Sequence, residues 1–309
     1  MTSNPEPKGV IFDVGYRQYD GRYLGRFLAL ASLVWDDFKR ALGFKRKTGY
    51  RIGIIVLFFF QLGAAGVSLF RSEIIDRFFV ESGAPEAFQN TFSNFYEFTG
   101  LLVLIMAAIV APNLLCRDRK GNVFQLYLVR PIQPYDYLAA KSAAIFLVLL
   151  LFVMGPNIIL FIGKVFLAPD TIQFVSDHFG SLLAIIISGL LIALFFASYS
   201  IGIASLTTSI GAAAGLTIGI LFLVGTVSDI VYLSTRDSSA TILNLNDAIY
   251  RIKDWIFFGE PRSFEVNSHG QTLLRLEPLG ILVYSAISFG VIIGSGILAW
   301  LTYRREVRR

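Results

Sequence analysis

Hydrophobic residues along the chain are concentrated in six long runs that contain almost no charged residue. The runs cover residues 52–70, 98–115, 142–167, 182–206, 212–233 and 279–303. An α-helix needs about 20 consecutive apolar residues to cross the hydrocarbon core of a bilayer. The pattern therefore predicts an all-α integral membrane protein with six transmembrane helices.

A shorter amphipathic pattern precedes the first run, over about residues 21–43. Its apolar positions fall on one side of a helix at 100° per residue. They are Leu24, Phe27, Leu28, Ala31, Trp35, Phe38 and Leu42, with Arg22, Arg26, Asp36, Asp37 and Arg40 opposite. We expect a helix that lies on the inner membrane surface. Its polar face either serves only as a solvated anchor or also contacts a cytosolic partner.

A second amphipathic pattern lies in the long connection between the fifth and sixth runs, residues 234–277. The apolar positions are Ile242, Leu245, Ile249, Ile252 and Ile256, with Asn244, Asp247, Arg251 and Asp254 on the other face. Gly259 and Pro261 end the pattern. The connection is predicted to be a long helical outer loop whose apolar face turns back toward the membrane. It either caps a pathway or forms a solvated surface domain.

The distribution of positive charge sets the predicted orientation. Lys and Arg resist translocation, so they accumulate in cytosolic segments. Nineteen of the 27 Lys and Arg residues lie in segments 1–51, 117–141 and 304–309. Both termini and the 117–141 loop are therefore expected in the cytosol, with the chain in the cell membrane. The sequence pI of about 9.3 then reflects topology and gives no reason to expect nucleic-acid binding.

Composition supports a membrane protein and gives little support for an enzyme. Hydrophobic residues make up 55% of the chain and charged residues only 16%, which is unusually apolar for a soluble domain. The string GFKRKTG at 43–49 lacks the glycine that precedes the lysine in a phosphate-binding loop. His178 and His269 are the only histidines, so no metal site is expected. We expect no catalytic residue and no cofactor in this chain.

The six apolar runs hold few ionisable residues, which weighs against an ion-coupled transport mechanism. Asp229 is the only acidic residue inside any of the six runs. Ion-coupled carriers generally place acidic residues or histidines at mid-membrane depth. A carrier or channel that acts alone, an integral-membrane enzyme and an assembly factor all remain alternatives. Energy that arrives through contact with another protein fits the residues better.

The segment RDRKGNVFQLYLVRPIQPYDYLAAK, residues 117–141, suggests what that other protein is. A charged cluster at 117–120 is followed by Gly121, a short apolar stretch at 124–128, Arg130 with Pro131, and an aromatic stretch that leads to Lys141. The segment resembles the cytosolic loop between the second and third spans of permease subunits of ATP-binding-cassette transporters of the export type. Relatives commonly carry a Glu-rich pair before the glycine, whereas this chain has Asp118 among basic residues. Six spans and a helical outer loop are also similar to that architecture.

The resemblance implies two permease subunits that work with two cytosolic ATPase subunits, on which ATP and Mg would be bound. The loop and the N-terminal helix would dock on the ATPases, and the short helix between Gly121 and Pro131 would act as a compact lever. The implied contact residues are Arg22, Arg26, Lys39, Arg40, Arg119, Gly121, Phe124, Arg130, Pro131 and Tyr135.

The resemblance also implies a cargo pathway between two copies of the chain, lined by the second and fifth spans. Candidate lining residues are Thr99, Met106, Asn113, Thr217 and Thr226. A wall with few fixed charges suits hydrophobic or amphipathic cargo, such as drugs or lipids, better than small ions.

Small residues in the fifth run indicate close helix packing. Gly211, Gly215 and Gly219 recur every fourth residue and so share one helix face. This face packs either within one subunit or across a homodimer axis. In the third run, Pro156 removes a backbone donor and predicts a kink.

The predicted orientation can be tested by labelling. Cysteines introduced at positions 125 and 265 are expected to differ, with the first shielded from impermeant external thiol reagents and the second labelled in intact cells. The reverse pattern would contradict the orientation.

Overall fold

The computed structural model of the protein describes residues 25–79, 85–121, 134–168, 170–235, 237–261, 264–268, 271–276 and 279–307. Nine α-helices lie in this part of the chain: α1 Arg26–Ala41, α2 Thr48–Phe79, α3 Pro85–Lys120, α4 Pro134–Leu167, α5 Thr171–Asp177, α6 Phe179–Leu206, α7 Ile210–Thr235, α8 Leu245–Phe258 and α9 Ile281–Val307. A 3₁₀ helix covers Ser238–Leu243, and the strands β1 Phe264–Ser268 and β2 Gln271–Leu276 pair antiparallel.

Six of the described helices are long and apolar enough to cross a membrane, which confirms the predicted number. The candidate spans are Thr48–Arg71, Thr91–Lys120, Tyr135–Leu167, Phe179–Leu206, Ile210–Thr235 and Ile281–Arg305. Each contains most of one predicted run, and several continue into polar sequence. Arg117, Arg119 and Lys120 extend α3 because cations are favourable in the last turn of a helix. Both helices that flank the predicted cytosolic loop therefore reach into it.

The central helix of the bundle is α6, which packs against α3, α4 and α9. It approaches α9 closely at Gly202, where an added β-carbon would lie 2.7 Å from Cβ of Ser295. Helices α2 and α4 pack side by side, with the Phe58 and Phe152 rings 5.0 Å apart and nearly perpendicular. Helix α4 continues through Pro156 and α3 through Pro112. The bundle thus has a glycine-dependent contact that the sequence analysis did not single out.

A helix, α1, forms within the predicted segment 21–43, but one residue of its predicted polar face is buried. Phe27, Leu28 and Trp35 are exposed. Asp37, placed by periodicity on the polar face, is fully buried against the bundle. Leu33 packs on the core beside it. The inner face of α1 therefore contacts the protein's own helices.

The connection between α7 and α9 is helical up to Phe258, where the predicted helical pattern ends, and contains a β-hairpin in its second half, which the sequence analysis did not predict. Helix α8 begins after Asn244, whose side chain accepts a hydrogen bond from the Asp247 amide. It ends at Gly259, where a φ of 79° favours glycine. The β1–β2 hairpin follows. The β-branched and aromatic residues of FEVNS and QTLLRL favour strands.

The glycine stripe of α7 does not pack within the described part of the chain. A β-carbon added at Gly211, Gly215 or Gly219 would meet no other atom within 4 Å. The opposite side of α7 faces the bundle, since Ala213 and Thr217 are buried. Of the two interpretations, packing within one subunit is not observed, since none of the described helices contacts this face of α7.

Gly202 and Gly215 provide a matched pair for testing helix packing. Gly202→Ala is expected to destabilise the protein by about 1–3 kcal/mol, because the new methyl group would overlap Ser295 on α9. Gly215→Ala should be neutral or stabilising by up to about 1 kcal/mol, since space is open there and alanine favours helix. The midpoint of thermal unfolding in detergent measures both. Equal midpoints for the two variants would contradict the α6–α9 contact.

Candidate functional site

A buried lysine joins three helices at the end of the bundle where the charged residues of α1, α3 and α4 converge. We call this the basic end. The Lys141 side chain on α4 is 1% exposed. Its Nζ lies 2.9 Å from Oδ1 of Asp37 on α1 and 2.6 Å from Oδ2 of Asp118 on α3. One ammonium group therefore bridges two carboxylates from different helices. Lys141, Asp37 and Asp118 are called the lysine bridge below.

Aromatic side chains hold the lysine bridge in place. Tyr137, one turn before Lys141 on α4, donates a hydrogen bond to Asp118 over 2.9 Å. The Lys141 Nζ lies 5.3 Å from the centre of the same ring. Tyr303 near the end of α9 contacts Tyr137, with ring centres 6.2 Å apart. Four helices, α1, α3, α4 and α9, therefore meet at one cluster.

The charge on Asp37 depends on Lys141. Burial raises the pKa of the Asp37 carboxyl, and the charge of Lys141 opposes that rise. Arg40 adds a more distant cation, 3.9 Å from the Asp37 carboxylate. Separating α1 from α4 would leave buried charges unpaired, which is strongly unfavourable. The lysine bridge is therefore suited to holding helices together as one body.

A second ion pair joins α1 and α4 nearer the surface. The guanidinium of Arg26 donates to both carboxylate oxygens of Asp136 over 2.8 Å and to the Tyr135 hydroxyl over 3.1 Å. These hydrogen bonds and the nearby charge raise the pKa of Arg26. Asp136 lies in the first turn of α4, where a negative charge is favoured by the helix dipole. Helix α1 is thus attached to the start of α4 at two points.

The end of α3 also holds the turn between α6 and α7. Arg119 donates to the carbonyl oxygen of Ser205 over 2.6 Å and to that of Thr207 over 3.2 Å. Cys116 donates to the carbonyls of Ala204 and Thr207. A cation near unpaired carbonyls at a helix C-terminus is a favourable arrangement. A displacement of α3 would therefore be transmitted directly to the end of α6.

The structure brings together only some of the predicted ATPase-contact residues. Arg26 contacts Tyr135, Arg40 lies near Asp37, and Lys39 lies 4.8 Å from the Trp35 ring centre. Arg119 faces its own chain, as just described, and Gly121 follows the last turn of α3, with its amide donating to the Arg117 carbonyl. Arg22, Phe124, Arg130 and Pro131 lie outside the described residues.

The sequence analysis did not assign a site role to Asp37, Asp136 or Lys141. A usable signal was present only for Lys141, which is a lone charge directly before a long apolar run. A charge in such a position must be paired or exposed. Which acid pairs with it depends on how the helices pack.

The predicted pathway residues do not share one surface of this chain. Thr99, Met106 and Thr217 are buried, Asn113 is half-buried and Thr226 is exposed. The hydroxyls of Thr99, Thr217 and Thr226 and the Asn113 amide each donate to the backbone carbonyl four residues earlier. Helices α3 and α7, predicted to line the pathway, do pack against each other. Their polar groups are mostly satisfied within their own helices.

A second buried lysine lies at the opposite end of the bundle. Lys253 on α8 has its Nζ 2.7 Å from Oε1 of Glu97 and 3.0 Å from Oδ1 of Asp254. Ser93 accepts from Lys253 through its carbonyl and donates to Asp254 through its hydroxyl. The Tyr250 hydroxyl lies directly against Gly100 of α3, and burial raises the pKa of Tyr250. Helix α8 is therefore fixed to the start of α3.

Known proteins do not assign a function to these sites. No protein-family model matches the chain, and no curated protein matches it significantly. Among the described residues, no group of three or more His, Cys, Asp or Glu side chains could hold a metal ion. The six apolar helices define a multi-pass helical membrane protein.

The lysine bridge predicts a specific order of stabilities. Lys141→Met is expected to destabilise the protein by about 3–5 kcal/mol, because Asp37 and Asp118 both lose their cation. Asp37→Asn should cost less, since Lys141 keeps Asp118. The double variant Asp37→Asn, Lys141→Met should be more stable than the sum of the single effects by about 1 kcal/mol or more. Reversible unfolding in mixed micelles measures all three.

Asp36→Asn is the matched control for this series. Asp36 is the neighbouring acid on α1, and its ion pair with Lys45 is exposed on both sides. Its loss should change stability by no more than about 0.5 kcal/mol. A Lys141→Met variant as stable as Asp36→Asn would show that the buried bridge does not hold the helices.

Proposed function

We propose that the chain is the membrane-spanning permease subunit of an ATP-driven exporter of the ATP-binding-cassette type. It works in the cell membrane as a pair of copies, with both termini in the cytosol. Separate cytosolic ATPase subunits bind ATP and Mg and supply the energy. The cargo is hydrophobic or amphipathic, such as a drug or a lipid.

The observation that carries the proposal is the lysine bridge. The connection leaves α3 after Lys120, two residues beyond Asp118, and enters α4 at Pro134, about two turns before Lys141. Asp37 ties α1 to the same point. A force applied to this connection would move α1, α3 and α4 together, because separating them exposes unpaired buried charge. A surface on which an ATPase pushes must move as one rigid body with the helices behind it, and the lysine bridge gives these three helices that rigidity.

The remaining contacts of the basic end give the force a route into the bundle. Arg119 holds the end of α6, and Tyr303 brings in α9. A rigid-body shift of packed helices is a common form of conformational change. Under the proposal, closure of the ATPase dimer tilts these helices relative to α2 and α7.

The unpacked side of α7 supports the proposal that two copies of the chain associate. The glycine stripe at 211, 215 and 219 is open within the described chain. Small residues let two membrane helices approach closely. In the proposed dimer, α7 of one copy meets the other copy, and the cargo passes beside this contact.

Reconstitution tests the proposal. The chain is co-expressed with a candidate ABC-type ATPase, and the complex is purified and placed in liposomes. We expect a stable complex, ATP hydrolysis that depends on the permease, and ATP-dependent movement of an amphipathic dye. Replacing Gly121–Tyr135 with a Gly/Ser linker should abolish the dependence of ATP hydrolysis on the permease and the movement of the dye.

Two controls make this test decisive. Replacing residues 264–276 at the opposite end with a Gly/Ser linker should leave ATPase binding intact. The milder pair Phe124→Ser and Arg130→Ser should weaken ATPase binding without altering the unfolding midpoint. Undiminished coupling in the Gly121–Tyr135 linker variant would refute the proposal, as would uphill transport by the purified chain alone.

A further inference from the structure

The turn between α1 and α2 concentrates positive charge in a fixed geometry. Gly43 and Lys45 lie between α1 and α2 with φ values of 95° and 62°, in the left-handed region of backbone conformation. A β-carbon at Gly43 would lie 3.0 Å from the Arg51 backbone, so the close approach of the turn to α2 requires glycine. The cations that this turn and the first turn of α2 display are Lys45, Arg46, Lys47 and Arg51. We call this group the basic turn.

Little of this charge is neutralised by the protein. Among the described residues, Arg46, Lys47 and Arg51 have no carboxylate within ion-pair distance. Lys45 pairs with Asp36 over 3.6 Å, but both side chains are exposed and such pairs are weak. Burial and the neighbouring charge of Arg117 lower the pKa of Arg46. The basic turn therefore carries an excess of cations that a bound anion would relieve.

Arg46 is the most constrained donor of the group. One of its terminal nitrogens donates to the Asn113 carbonyl over 3.0 Å, and its guanidinium lies 5.7 Å from the Tyr50 ring centre. Its Nε is buried and has no hydrogen-bond partner among the described residues. The Arg46 guanidinium is thus a fixed positive charge beside the more exposed cations of the basic turn.

The surroundings of the basic turn are apolar and point to lipid. Phe44 and Trp35 are 53% and 56% exposed. The Arg51 guanidinium lies 5.9 Å from the Phe44 ring centre. Directly after the turn, Ile52 and Ile55 are exposed on α2. Aromatic rings and cations at the end of an exposed apolar helix match the boundary between headgroups and acyl chains. An acidic protein surface would leave these apolar side chains uncovered.

We infer that the basic turn is a binding site for the headgroup of an anionic phospholipid, such as phosphatidylglycerol. Lys45, Lys47 and Arg51 would contact the phosphate, with Arg46 behind them. Phe44 and Trp35 would lie against the upper part of the acyl chains. The site needs only a membrane-embedded chain, so it does not depend on the proposed ATPase partner.

Lipid titration of the purified full chain tests this site. Detergent-solubilised protein is titrated with phosphatidylglycerol or phosphatidylcholine of the same chain length, and bound lipid is counted by native mass spectrometry. We expect phosphatidylglycerol to bind about tenfold more tightly or better. Lys45→Gln with Lys47→Gln should remove most of this preference. Arg51→Gln alone should reduce it in the same direction.

The matched control is Arg304→Gln with Arg305→Gln. Arg304 and Arg305 are exposed at the end of α9. Their substitution removes the same amount of charge from the same end of the bundle as the Lys45 and Lys47 substitutions do. Their loss should leave the preference intact. Equal loss in both double variants would overturn the site in favour of a general charge effect, and so would the absence of any preference in the unaltered chain.

Competition with soluble anions separates lipid from free phosphate. Inorganic phosphate and glycerol 1-phosphate at millimolar concentration should not displace phosphatidylglycerol, because they lack the acyl chains that the aromatic side chains contact. Displacement at concentrations similar to the lipid's would overturn the lipid assignment. Variants that bind lipid normally but lose a co-expressed ATPase would show instead that the basic turn is a protein-docking surface.

Discussion

Burial of a lysine ammonium at the end of a helix bundle is strongly unfavourable unless carboxylates lie close to it. Lys141 meets this requirement with one acid from α1 and one from α3. Because each ion is unfavourable inside the protein without the others, the three helices cannot move independently. The aromatic contact from Tyr137 to Tyr303 extends the same constraint to α9. The arrangement of the basic end follows from this pairing.

The two ends of the bundle use the same physical device. Lys253 fixes α8 to α3 through Glu97, as Lys141 fixes α1 to α3 and α4. Between the ends, the threonine hydroxyls of α3 and α7 bond to carbonyls of their own helices, and the contacts between helices are largely apolar. Apolar surfaces can slide or tilt at smaller cost than buried ion pairs can separate. The charged ends are thus expected to move as rigid units on a more adaptable middle.

The outer surfaces of the bundle divide into regions with different occupants. Helix α2 exposes a broad apolar side that suits lipid, with the basic turn at its start. Helix α7 exposes glycines that leave room for another helix. Cations attract anionic headgroups over several ångströms, whereas small residues permit only direct packing. Lipid and a second copy can therefore occupy different sides of the same chain.

Sequence by itself determined the six membrane helices, the amphipathic α1 and the end of α8 at Gly259. Hydropathy, periodicity and local backbone preference act within one segment, so neighbours in the chain suffice to predict them. It did not reveal that Asp37 is buried, that Arg119 holds the α6–α7 turn, or that Gly202 rather than Gly215 lies at a close contact. These depend on residues 86 to 104 positions away in the chain. Only tertiary packing decides which distant charge or side chain meets them.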